Sequence, residues 1–409
     1  MRCFYLDPGL RGDLGHHANF CRSITGALRR RGVETRILGP VDMASTLCQE
    51  FGAQPHFRAH SYKDSDGDPI SGWLSGFDLF VRVTTEDLAR LPPVEASDLV
   101  YLSTARPVQL MALLLWYHSL PESRRPWVVV EVNQTGMGGR RDGATIRFEL
   151  PEPRTEARPL LFRFIAQRHL HPIPAKIRFI TFDQTTSAAL GMLINSAVET
   201  APLPYQAVSP LRNRAGAAPI TVACLGHQRG IKGYPMLPEL SRRLLQRHAG
   251  IRILIQTVST GLADSIAATA ALQDLASIEP RLELDHQPAG AERWPALLDR
   301  ADLMLCPYQA EPYVASFSSM ACEALANAIP AIVPAGSTLA SLLEGCGGPG
   351  ETFDTWDPPG ILAAVETVLA QFDSYAQRAY RAALDWPTHR GPERLADQLI
   401  DFAAGAKAP

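Results

Sequence analysis

Two successive α/β domains, each built on a parallel sheet, are the fold class that this 409-residue chain predicts. Three observations point there. Short apolar runs alternate with helical stretches through both halves, which is the order of parallel strands and their crossovers. Residues 201–219, with Pro202, Pro204, Pro210 and Pro219 and no usable periodicity, read as a linker, after which the alternation restarts. Near the end of the second half, residues 303–336 give strand, loop, Ala-rich helix and strand in succession. The expected division is residues 1–205 as the first domain, 206–219 as linker, 220–388 as the second domain, and 389–409 as a helix returning to brace the first domain.

In the first half, Arg2–Leu6 reads as a buried strand and residues 7–15 as a loop with glycines at 9, 12 and 15. Phe20, Ile24 and Leu28, spaced four apart, form the apolar face of a helix that Gly32 stops. Residues 33–38 are the next strand, which completes a βαβ unit with a glycine-containing first turn. That turn lacks the Gly-x-Gly-x-x-Gly dinucleotide pattern, so a nicotinamide dehydrogenase is a distant rival. Further strands are expected at 77–83, 98–102, 127–132 and 177–182, with helices at 107–118 and 185–194. Residues 138–174 give no clear pattern, and His169 and His171 without a third ligand nearby read as structural. Asp64, Asp66 and Asp68 alternate as metal-binding carboxylates do, but their turn-forming neighbours favour a solvated loop.

The second half is expected to run as strand 220–225, helix 236–248, strand 251–257, helix 262–275, strand 281–285 and helix 292–301. Directly after its first strand stands Gly226-His-Gln-Arg229-Gly-Ile-Lys232-Gly233. Its glycines let backbone approach a ligand, and Arg229 and Lys232 supply two fixed cations. In 303–336 the helix is expected from about Ser316, where Ser316, Ser318 and Ser319 can cap it or donate to a phosphate. Glu323 follows about two turns later among Ala321, Cys322, Ala324 and Leu325. A carboxylate on an apolar helix needs a partner. Two vicinal ribose hydroxyls, an Arg or water would each serve.

Composition narrows the function classes. Hydrophobic residues at 46% and charged residues at 20% suit two globular domains and not a solvated, disordered chain. The formal net charge of −3, with only short Arg runs such as 29–31, argues against nucleic acid or an anionic membrane as partner. Cations at 29–31 also suit a helix end. Seven Cys with no Cys-x-x-Cys pair read as buried reduced thiols and not as a zinc site. No apolar run reaches the ~18 residues a membrane span needs, and the first residues lack a secretory core. A cytoplasmic protein is expected, with loose contact to a membrane-bound acceptor left open.

The 303–336 stretch resembles the donor-site motif of glycosyltransferase family 4, whose GT-B fold places two Rossmann-like domains around a cleft. The family pattern is Glu-Gly-Phe-Gly, four residues, Glu. Phe317 stands at the Phe, Ser318 at the second Gly and Glu323 at the final Glu, which in the family holds the nucleotide ribose. Ala315 replaces the first Glu, the residue that touches the donor sugar. Lys232 and Gly233 match the Lys-Gly that clamps the donor diphosphate, His227 stands where the family has Arg, and Arg229 is placed to substitute. The resemblance further assigns Gly226 and His286 to the nucleotide, Ser319 to the helix start, and Gly12, Gly15, His16 and His17, with Asn19, to a loop near donor phosphates and acceptor. By position only, Glu131 or Asn133 takes the role of a His that many GT-B enzymes aim at the donor sugar.

What the resemblance implies is a sugar transferase in polysaccharide or glycoconjugate synthesis. It would use a nucleotide-diphosphate sugar and a carbohydrate, lipid-linked or protein acceptor, retain anomeric configuration and need no catalytic metal or other cofactor. The departing phosphate oxygen would take the acceptor's proton. Its rivals are a binding or scaffold protein disabled at Ala315, and a nucleotide-sugar epimerase or phosphorylase on the same fold.

Overall fold

The computed structural model describes residues 1–13, 15–62, 71–142, 145–153, 155–227, 229–258 and 263–405. It divides into two compact units. The first comprises 1–204, 315–317 and 390–409, and the second 205–314 and 318–389. The segment 206–219 thus belongs to the second unit. The triplet Ala315–Phe317 and the last helix, Pro392–Ala403, belong to the first.

The first unit carries β1 (Arg2–Leu6), β2 (Glu34–Pro40), β3 (Gln54–Phe57), β4 (Leu99–Leu102), β5 (Trp127–Glu131), the antiparallel hairpin β6 (Gly138–Asp142) and β7 (Thr145–Glu149), β8 (Ile177–Thr181) and β9 (Glu199–Thr200). Its main sheet is parallel in the order β3-β2-β1-β4-β5-β8-β9. Near-continuous apolar runs such as Phe4, Tyr5 and Leu6 or Val128, Val129 and Val130 are buried, as helices on both faces require. The helix expected after residue 15 is present as His16–Phe20 and Gly26–Arg30 joined through a wider π turn at Cys21–Thr25. The final helix packs on this first one, where Arg30 and Arg31 pair with Glu393 and Arg31 with Asp397.

One element differs from expectation. Residues 77–83 are not a strand but the middle of a helix, Ser71–Ala89, packed on the Pro107–Ser119 helix. The apolar run through Val83 suggested a strand, yet Val81, Thr84, Asp87 and Leu88 are the buried positions, at helical spacing. Residues 138–174, without a pattern in the sequence, hold the hairpin and a helix, Arg158–Ile165. His169 lies in the turn that extends this helix, and Asp64, Asp66 and Asp68 lie outside the described residues.

The second unit carries β10 (Ile220–Cys224), β11 (Ile251–Gln256), β12 (Leu282–Asp285), β13 (Leu303–Leu305), β14 (Ala331–Pro334) and β15 (Gly350–Phe353), parallel throughout in the order β12-β11-β10-β13-β14-β15. In each sheet the strand order reverses once, between β1 and β4 and between β10 and β13. The loops leaving the carboxyl ends of these strands diverge there and leave room for a ligand. Among the described residues no helix is long and apolar enough to cross a membrane.

Arg214, in the stretch read as a linker, is buried in the second unit. Its guanidinium donates to the carbonyls of Leu298, Ala301, Asn327 and Ala328, at the ends of the Trp294–Arg300 and Ser319–Ala326 helices. Desolvation pulls its pKa down to about 10. Helix carbonyl ends attract a cation and otherwise lack partners. Arg214→Met should therefore cost about 3 kcal/mol or more in urea unfolding, because each buried carbonyl left unpaired costs about 1–3 kcal/mol. Loss of the exposed Arg247–Glu366 pair should cost about 1 kcal/mol or less. Equal effects would contradict the role given to Arg214.

Candidate functional site

The reversal between β10 and β13 brings the GHQRGIKG loop against the chain leaving β13. Gly233 has φ of +72°, and a Cβ there would lie 2.0 Å from the Pro307 carbonyl oxygen, so only glycine fits. Gln309 N–H donates to the Ile231 carbonyl at 2.9 Å, and Gly226 N–H to Gln256 Oε1 at 2.9 Å. The loop is thus fixed at both ends. Residues Gly230–Lys232 form a single tight helical turn.

Lys232 is half-buried, with its ammonium 5.1 Å from the centre of the Tyr308 ring. No carboxylate pairs with it or with exposed Arg229 among the described residues. Desolvation holds the Lys232 ammonium below its usual range, and desolvation together with the charges of Lys232 and Arg229 does the same to the His227 imidazole. Among the described residues these two cations stand without a carboxylate counter-ion.

The helix after β13 begins at Ser319, with Ser318 as its N-cap in extended conformation. This is later than expected, and it puts Glu323 little more than one turn into the helix. The Ser318 hydroxyl makes no capping bond. Glu323 is buried, and one carboxyl oxygen accepts a hydrogen bond from the Trp294 indole N–H. Among the described residues nothing bonds the other oxygen, and desolvation pushes the Glu323 carboxyl up to about 7. No Arg pairs with it among the described residues. At the end of β12, His286 Nδ1 lies 2.6 Å from Thr257 Oγ1, while Arg293 grips the Asp285 carboxylate at 2.9 and 3.1 Å.

Phe317 and Ser316 belong to the first unit. The Phe317 ring stacks on Phe20 at 6.1 Å and meets Phe182 edge-on at 5.5 Å, and Ser316 forms a backbone bridge with Gln134. Ala315 is buried in the hydrophobic core of the first unit. Of the motif residues, Ser318, Ser319 and Glu323 belong to the second unit with Gly226, His227, Arg229, Lys232 and Gly233, and Phe317 to the first.

The first unit has its own polar cluster at the β1/β4 reversal. Asp7, directly after β1 and fully buried, accepts from Gly9 N–H at 2.9 Å and lies 2.8 and 3.0 Å from His17 Nδ1. His17 Nε2 lies 2.7 Å from the Tyr62 hydroxyl. Desolvation opposes the protonated His17, but the Asp7 carboxylate outweighs it and its pKa is raised. His16 packs its ring on His17 and Phe20, Gly15 starts the helix, and Gly12 stands in open space.

Glu131 is fully buried at the end of β5, accepting from Tyr101 and Ser103 hydroxyls, each at 3.0 Å, and desolvation pushes it up to about 7. Asn133 donates to Thr104 Oγ1 at 3.1 Å. Thr104 has φ of +51°, a strained conformation for a β-branched residue. Sequence reasoning missed Asp7, Tyr62, Trp294 and Tyr308. Only Asp7, a lone acid closing an apolar strand, carried a local signal.

Two units with parallel sheets in these orders have the GT-B fold. No protein-family model and no curated protein matches the sequence. Solved structures do match over the whole chain. Sucrose-phosphate synthase from Thermosynechococcus elongatus is 14% identical with a TM-score of 0.66, covering 99% of each chain. HepE from Anabaena, solved in complex with UDP, is 15% identical with a TM-score of 0.65, covering 99% of this chain and 100% of that one. A glycosyltransferase from Rickettsia africae is 9% identical with a TM-score of 0.66, covering 99% and 98%.

The raised carboxyl of Glu323 fixes the sign of a pH effect. Its pKa is about 7 in the folded chain against 4.5 ordinarily, so the native state binds the proton more tightly than the unfolded chain. The stability this contributes is present below 4.5 and is lost as pH rises through about 7. Glu323→Gln, neutral at every pH, should flatten the melting temperature between these values relative to the parent. A slope unchanged by the substitution would show that Glu323 does not titrate there.

Proposed function

We propose that the chain transfers a sugar from a nucleoside-diphosphate donor to an acceptor hydroxyl, with retention at the anomeric carbon and no metal in the chemical step. The observation that carries the proposal is Lys232, a half-buried ammonium without a carboxylate partner among the described residues, on a loop that the Gly233–Pro307 approach fixes. A partly desolvated cation without a counter-ion is costly, and a diphosphate would relieve the cost. Glu323 supports the same ligand. Its second oxygen lacks a partner among the described residues, and a ribose diol offers the donors. HepE, of the same fold, has been solved with UDP and with UDP-glucose.

The chemistry is governed by charge. As the bond from the anomeric carbon to the phosphate oxygen breaks, its electron pair stays on the diphosphate, and Lys232 and Arg229 meet the growing negative charge. The amides at the start of the Ser319–Ala326 helix add a weaker positive end. The acceptor oxygen bonds the anomeric carbon, and its proton goes to the departing phosphate oxygen. By resemblance Gly12, Gly15, His16 and His17 belong to the loop near donor phosphates and acceptor, Glu131 or Asn133 by position to the donor sugar, and His286 to the base.

Burial of Ala315 in the first unit's core favours a second reading, a chain that binds the nucleotide sugar without transferring it. Release of nucleoside diphosphate in the presence of acceptor separates the two. Thermal shifts with UDP, GDP, TDP and ADP identify the base. Lys232→Ala should lower turnover about 10²- to 10³-fold, the cost of removing one fixed donor at a developing charge. Ser318→Ala at the helix start should cost about 2 kcal/mol at most. Small, equal losses from both would remove Lys232 from the chemistry.

A further inference from the structure

The helix Arg158–Ile165, with the turn Ala166–Leu170 that extends it, is apolar on two sides, and the fold covers only one. Phe162, Ile165, Ala166 and Leu170 are buried in the core of the first unit. Leu160 and Phe164, four residues apart and so on one side, are 40% and 49% exposed. A helix that is apolar all round is ordinarily buried all round.

The exposed side continues onto its neighbours. The helix packs against Pro107–Ser119 on one flank and Gln184–Ile194 on the other, and His118 Nε2 lies 3.3 Å from the His169 carbonyl where the first two end. Leu115 and Met192, on these flanking helices, are 38% and 57% exposed. Single apolar residues scattered over a surface need no explanation, but here one helical layer of the first unit bears four.

The charge on this layer has one sign. From residue 157 to residue 182 the sequence carries Arg158, Arg163, Arg168, Lys176 and Arg178 with no Asp or Glu, and the two flanking helices hold no charged residue. Arg158 pairs with Glu156, Arg178 with Glu199, and Lys176 donates to the Ala96 and Arg125 carbonyls. Half-buried Arg163 and exposed Arg168 have no carboxylate partner among the described residues. The formal charge of −3 for the whole chain conceals this local excess.

Apolar side chains beside unpaired Arg suit an anionic lipid surface. Rings and branched chains enter the boundary of the acyl region, while a guanidinium on a long stem stays with the headgroups. A second copy of this face would set Arg against Arg. Helices packed side by side offer a broad face, as a bilayer does, whereas a helical peptide asks for a groove. We propose that the outer side of Arg158–Leu170, with Leu115 and Met192 beside it, docks the chain on an anionic bilayer surface. Leu160 and Phe164 enter the interface, and Arg163 and Arg168 meet the headgroup anions. Docking requires neither donor nor acceptor, so it is judged apart from the transferase reading.

The test is flotation of the full chain with vesicles of phosphatidylcholine alone and of phosphatidylcholine with about 30% phosphatidylglycerol. Partition onto the mixed vesicles should be about ten-fold higher or more, and should fall as salt is added. Phe164→Ser should lower it about ten-fold, and Arg168→Gln about five-fold, the worth of one cation near a charged surface. Leu160→Ser replaces Phe164→Ser should the latter lower the melting temperature. Ile278→Ser, at an 80% exposed side chain of the second unit, should change nothing. Absence of flotation, equal flotation with both vesicles, or equal losses in Phe164→Ser and Ile278→Ser overturns the proposal. Binding to poly-L-glutamate without binding to vesicles overturns it as well and assigns the face to an acidic protein.

Discussion

The carbonyl of Pro307 stands where a side chain on residue 233 would begin, and the second unit's polar site depends on that approach. It presses the loop after β10 onto the chain after β13 and keeps Lys232 on Tyr308 with no carboxylate beside it among the described residues. A longer or looser loop would let an ammonium on a flexible stem turn to water. Held here, the cation stays half desolvated and is stabilised by an anion more than an exposed one would be.

The same construction occurs in both units with opposite chemistry. Each polar cluster lies at the carboxyl ends of strands on either side of the one reversal in its sheet. At β10 and β13 the cluster supplies cations, Lys232 and Arg229, with Glu323 one helix away. At the ends of β1 and β5 it supplies Asp7 and Glu131, carboxyls that receive hydrogen bonds, with His17 donating to Asp7. Cations suit an anionic ligand, and buried acceptors suit a ligand that brings donors. Fold alone would not make this distinction; the residue types do.

Much of the architecture was legible because apolar runs and helical spacing are local signals. The strands Arg2–Leu6 and Trp127–Glu131 and the helix Pro107–Ser119 follow from their own residues. The error at 77–83 arose where an apolar, β-branched run hid a helical spacing that a neighbouring helix selects. Lys232 and Gly233 were legible from glycine spacing and position after a strand. The Trp294 indole on Glu323, the Arg214 guanidinium across two helix ends and the Tyr62 hydroxyl on His17 were not. Each joins residues far apart in sequence, and neither partner's neighbours announce the other. Phe317 matched a motif by position, and its ring contacts with Phe20 and Phe182, in the first unit, were not legible from it.

A structure of the chain with a nucleoside diphosphate bound addresses the central claim most directly. The account predicts phosphate oxygens within hydrogen-bonding distance of Lys232 Nζ and the ribose hydroxyls on the Glu323 oxygen that Trp294 does not occupy. A diphosphate bound elsewhere, or Lys232 still without a partner in the occupied protein, would contradict it.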